Sequence, residues 1–111
     1  MAGSIQVNRN DCWSVAGWVF DHVLRLTREQ LPSEGTETIL QLMRNAEQGA
    51  GHMSLTVLAP EELTAFRDAL HAAYRQAELQ GSKSFAEPAF YSGFMERFKD
   101  LVDMVDHARA T

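Results

Sequence analysis

Three observations predict a mainly α fold, with four helices packed around one core and one or two short β-strands. Apolar residues recur at helical spacing in four segments. Stops and starts separate those segments at Pro32-Ser33, Gly49-Ala50-Gly51, Gly81 and Pro88. Alternation with a period of two is confined to two short stretches. The chain of 111 residues, 45% hydrophobic and 23% charged, suits a single globular domain over 1–111 and argues against a disordered or fibrous chain. At that length one core forms without disulfide or metal staples.

Ile5-Gln6-Val7 is a short alternating stretch suited to an edge strand. Asn10 or Asp11 then offers a side-chain oxygen to cap a helix that runs to about Leu31. Its apolar residues fall in two stripes, Trp13, Gly17, Phe20, Leu24 and Leu31 beside Val15, Val19 and Leu26, which predicts a deeply buried helix. A second helix is expected from about Thr36 to Gln48, with Ile39, Leu40, Met43 and Ala46 on one side. Residues 52–58 place Met53, Leu55 and Val57 alternately with Ser54 and Thr56, a half-buried strand that can pair with residues 5–7.

Ala59-Pro60-Glu61-Glu62 opens the third helix, because proline lacks the N–H that would be unpaired there and the glutamates favour the positive end of the helix dipole. Leu63, Phe66, Leu70, Ala73, Tyr74 and Ala77 share a face, and Gly81 terminates it. Pro88 starts a fourth helix that reaches about Ala108. Advanced at about 100° per residue, Phe90, Tyr91, Phe94, Phe98, Leu101 and Val105 gather on its core side, and Glu96, Asp100 and Asp103 gather opposite. That acidic face is either a solvated outer surface or a docking surface for a basic partner.

Fifteen acidic against ten basic side chains give a formal charge of −5, which argues against direct binding of nucleic acid, since phosphate neutralisation needs a Lys/Arg surplus. No apolar run approaches the length of about 20 residues that spans a bilayer, and Met1-Ala2-Gly3-Ser4 has no basic region leading into an apolar one. With the single cysteine, Cys12, these features lead to the expectation of a cytoplasmic protein that engages no membrane.

No catalytic signature is present, and the expectation is a protein that is not an enzyme and takes no cofactor or metal. Cys12 would need a base beside it. On the expected first helix, His22 stands ten positions away, about 15 Å along the axis. Asp103 with His107 and Asp68 with His71 each supply two ligands on one helix face, where zinc wants three or four converging ones. Met53, Met95 and Met104 sit at apolar positions as core filler. Residues 48–52 lack the glycine spacing, the lysine and the following Ser/Thr of a phosphate loop. What remains is contact chemistry. Trp18 projects near the edge of the first helix's polar sector, Ser14, Asp21, His22, Arg25 and Arg28, and is either a half-exposed anchor for a partner or covered by the loop over 82–87 or by another helix.

The stretch from Leu55 to Tyr74, with Ala59-Pro60-Glu61-Glu62-Leu63 leading into Phe66 and Ala69-Leu70, followed later by Phe90-Tyr91-Ser92-Gly93-Phe94-Met95, resembles small bacterial toxin-immunity proteins. It covers about half of the chain, and His71 stands where that pattern often carries glutamate or asparagine. The resemblance implies a stoichiometric inhibitor that binds a cognate protein toxin in the producer's cytoplasm and covers its active site. A basic cleft on the toxin would suit Glu96, Asp100 and Asp103, with Trp18 as anchor. The alternative expectation is a helical homo-oligomeric adaptor or accessory subunit, a homodimer in the simplest case, that self-associates through the first helix.

Overall fold

The computed structural model describes residues 2–110; Met1 and Thr111 lie outside the described residues. The fold is mainly α, with four helices and a small three-stranded sheet. The strands are β1 (Ala2–Gln6), β2 (Cys12–Ala16) and β3 (His52–Ser54), and the helices are α1 (Gly17–Gln30), α2 (Glu37–Asn45), α3 (Pro60–Gln80) and α4 (Ala89–Ala110).

The largest departure from expectation is at the start of α1. Residues 12–16 are a strand, so the helix begins at Gly17 and not after Asn10 or Asp11. Asn8 explains the difference. Its Oδ1 accepts from the backbone N–H groups of Asn10 and Asp11, each at 2.8 Å, and its Nδ2 donates to Asp11 at 3.0 Å. This Asx-type turn folds the chain back on itself, and the Val7 N–H donates to the Asp11 carbonyl at 2.9 Å. The polar side chains that resemble a helix cap are spent on a hairpin. Trp13 and Val15 are then buried on alternate positions while Cys12, Ser14 and Ala16 face out, the period-two signature of a strand. Ala16, which precedes α1, makes no side-chain capping bond, so nothing in the local sequence announces the true start.

The sheet order is β2-β1-β3, which makes β1 the central strand where an edge strand was expected. β1 runs antiparallel to β2, with Ile5 opposite Trp13, and parallel to β3, with Ile5 opposite Met53. The expected pairing of the two alternating stretches is therefore present, but only residues 52–54 are extended. Leu55–Val57 wind into a 3₁₀ turn, with Ser54 accepting from the Thr56 N–H, and Val57 points to solvent. α2 likewise stops at Asn45, and a wider turn carries the chain through Ala46–Ala50 to Gly51, whose N–H returns to the Ala46 carbonyl.

The core joins both layers. Ile5, Phe20, Leu24, Ile39, Met43, Phe66, Leu70, Phe94, Phe98 and Leu101 are almost fully removed from water. α1 lies across β1 so closely that a Cβ added at Gly3 would stand 2.1 Å from the Phe20 ring. Glycine is required there for space. α3 opens as expected, with Pro60 at its start and the Glu62 carboxylate accepting from the Ala59 N–H at 2.9 Å.

Candidate functional site

Because β2 runs straight into α1, Trp18 falls in the first turn of the helix. Val19, Phe20, Val23 and Leu24 take the buried side, and Trp18 is left 48% exposed at the rim. The 3₁₀ turn Gly81–Ser84 then delivers Phe85 beside it, and α4 begins just afterwards with Phe90 and Phe94 on successive turns. The Trp18 ring meets Phe85 edge-on at 6.4 Å, Phe90 at 6.1 Å and Phe94 nearly parallel at 6.0 Å. Phe94 is the buried floor, whereas Phe90 is 58% exposed. Phe90 was expected on the core side of the last helix; the structure corrects this, because at the first turn of α4 its ring packs on the half-exposed Trp18 at the rim and not in the core. The loop over 82–87 and Trp18 do meet, yet about half of the Trp18 surface stays in water.

His22, one turn beyond Trp18, stacks on Phe85 with ring centres 5.4 Å apart and tilts against Phe94 at 4.6 Å. Burial between these rings holds its pKa below the ordinary 6.5, and Arg25 adds to the effect while Glu29 opposes it. The Arg25 guanidinium donates to His22 Nε2 at 3.4 Å. An arginine has only donors, so Nε2 accepts, and the neutral ring carries its proton on Nδ1.

These side chains enclose an open groove of about 400 Å³ lined by Trp18, His22, Phe85, Ala86, Glu87 and Phe90. A second, polar groove of about 440 Å³ adjoins it through Trp18 and His22 and is walled by Asp21, Arg25, Arg28 and Glu47. Arg28 and Glu47 form an ion pair across it. A third of about 340 Å³ lies on the other side of the indole, between Val15 and Val19 below and Phe90, Gly93 and Arg97 above. Trp18 borders all three.

The acidic face is elsewhere. Glu96, Asp100 and Asp103 are all exposed, but on a helix turning about 100° per residue they stand roughly 180–240° around α4 from Phe94, the residue that Trp18 covers. Asp103 is also held by Lys99 at 3.8 Å. The structure thus brings Trp18 together with rings missed as partners from the sequence and separates it from the three acidic residues. Phe85 sits in a segment without periodicity, and its own aromatic character was the only available signal.

The remaining candidates also rearrange. Cys12 lies exposed on β2 with Ser14 Oγ 4.0 Å from its sulfur, not on a helix shared with His22. Asp68 pairs with Arg67 at 3.0 Å, and His71, expected beside Asp68, instead reaches across to α4, where Asp106 receives it at 2.8 and 3.0 Å and Arg67 Nε at 2.9 Å. Burial pushes the Asp106 pKa up, but the hydrogen bonds and charges of His71 and Arg67 outweigh it and hold the carboxyl below its ordinary value. This trio fastens α3 to α4. Among the described residues no three His, Cys, Asp or Glu side chains are grouped to hold a metal ion, and no helix is long and apolar enough to cross a membrane.

Comparison of the chain with family models, with curated proteins and with solved structures gave no match.

Proposed function

We propose that this chain is a non-catalytic protein-binding module that neutralises a cognate antibacterial toxin in the producer's cytoplasm by covering its active site. The observation that carries this reading is the aromatic groove, in which two large rings, Trp18 and Phe90, stand about half in water on helices anchored to the core. Exposed aromatics held in place by a rigid scaffold contribute much of the affinity in protein complexes, because they bury large area while losing little conformational freedom. The formal charge of −5 favours a basic partner and speeds its approach.

The acidic face and the groove then have different work. Glu96, Asp100 and Asp103 set the long-range field from the far side of α4, and the groove makes the close contact. Two experiments test the reading. In cells expressing a toxin-like reading frame adjacent to the gene, the chain protects, and Trp18→Ala with Phe90→Ala weakens the complex by about 30-fold or more, as expected when anchors are removed. Absence of protection, or an adjacent frame with an unrelated metabolic role, overturns it. Light scattering separates the homodimeric adaptor, which would bury the same two rings against a second copy: a monomer that grows only with its partner supports the inhibitor, and a stable dimer supports the adaptor.

A further inference from the structure

The aromatic groove has features that specify its occupant. Three aromatic rings line it, and both phenylalanines are inclined to the indole, Phe85 at 78° and Phe90 at 50°, so the rings are not stacked flat on one another. The formally charged residue in its lining is a carboxylate, Glu87. Faces of indole and benzene rings carry negative potential and attract cations, and a nearby carboxylate reinforces that attraction. His22 also lines the groove and is neutral at neutral pH, because burial holds its pKa below 6.5, so it does not oppose a cation. Across the three grooves that Trp18 borders, three carboxylates, Asp21, Glu47 and Glu87, stand against three guanidiniums, Arg25, Arg28 and Arg97, but the aromatic groove itself is lined by a carboxylate and by no guanidinium. Arg28 is already paired with Glu47.

From this arrangement we infer that the groove is a cation-binding cage, and that it seats an arginine side chain from a basic segment of the partner protein. This deepens the proposed function and rests on it for the identity of the partner. Arginine fits better than lysine, because a planar guanidinium stacks on rings while its edge remains free to reach Glu87. The groove is open and continues past Trp18 into two neighbouring grooves, which suits a side chain presented on a length of polypeptide.

The chain's own tryptophans supply the readout. Trp13 is buried, with its indole N–H donating to the Arg97 carbonyl at 2.7 Å, and serves as an internal reference for Trp18. In ¹⁵N spectra of the intact chain, acetyl-Gly-Arg-Gly-amide is expected to move the Trp18 indole resonance saturably and leave that of Trp13 in place. The same tripeptide with citrulline, which keeps the shape without the charge, should bind at least about threefold more weakly, the ratio expected of an exposed cation–ring contact. Phe90→Ala and Glu87→Gln should each weaken the arginine response. Both positions are exposed, so each variant should fold, which unfolding curves check. Equal responses to the arginine and citrulline tripeptides, no response to either, or a stronger response to acetyl-Gly-Phe-Gly-amide would overturn the inference. If the arginine tripeptide fails while Trp18→Ala still abolishes protection against the toxin, the cage is refuted and the inhibitor reading survives. If the tripeptide binds but protection is absent, the reverse holds.

Discussion

The indole of Trp13 is closed off from water, whereas that of Trp18, on the next element of the chain, is left about half exposed. Trp13 is 3% exposed, pinned between the sheet and α4 with its N–H satisfied, and Phe20 is wedged onto Gly3 at the same layer boundary. Trp18 packs against the rings of Phe85, Phe90 and Phe94 and still keeps 48% of its surface exposed. One tryptophan has become core and the other surface, and the difference lies in what surrounds them, since the residue type is the same. A sheet on one side and a helix on the other close the first, whereas the second sits where α1 and α4 both begin. Apolar area left in water at such a place lowers the stability of the isolated chain, and binding of a partner recovers it.

Substitutions can test how sharp that contrast is. Phe98→Ala, fully buried against Tyr74 and Phe94, should cost about 3–5 kcal/mol in urea unfolding, through lost transfer energy and the cavity left behind. At the closed end, Gly3→Val should cost about 1–3 kcal/mol, because its side chain would occupy the place of the Phe20 ring. At the open end, Phe90→Ala should change stability by only about 0.5 kcal/mol, although the proposed binding depends on it. A loss at Phe90 as large as that at Gly3 would mean the groove is structural and would erase the comparison.

The smallest expected effects are electrostatic. Asp106→Asn should cost no more than about 1 kcal/mol, since the trio with His71 and Arg67 is partly exposed and screened. The Asp106 pKa is lower in the folded chain, so its contribution is fully present above the ordinary value of 3.8 and is lost as pH falls through the folded value, where the unfolded chain has already taken up its proton. His22 has the same sign at higher pH. Its folded pKa is depressed, so stability declines as pH drops below about 6.5 toward that lower value, and His22→Phe should flatten this part of the pH–stability profile.

Much of the helical framework was legible in advance because its signals are local. Pro60 with Glu61 and Glu62 marks the start of α3, and Phe94, Phe98, Leu101 and Val105 trace a clean buried stripe on α4. The strand at 12–16 was hidden by ambiguity. Trp13 with Phe20, and Val15 with Val19, satisfy two helical stripes on paper, and the Asn8-centred turn decides between helix and hairpin. Exposure at Phe90 was hidden for another reason: periodicity reports which side of a helix is apolar, but not how far along it a neighbouring element reaches. Trp18 was recognisable as a residue at a boundary, while the rings gathered around it depend on tertiary placement of a loop.

The place of β1 in the sheet also affects how the molecule assembles. Its pairing with β2 closes over a short turn, at little entropic cost, whereas its other edge needs residues 52–54, which lie beyond α1 and α2 in the chain and cost more to bring in. Until then the hairpin presents an open row of backbone donors and acceptors beside apolar Ile5, a template on which another chain can pair. Self-association during refolding should therefore originate at this edge, and changes that hasten the docking of β3 should suppress it more than changes that merely deepen the core.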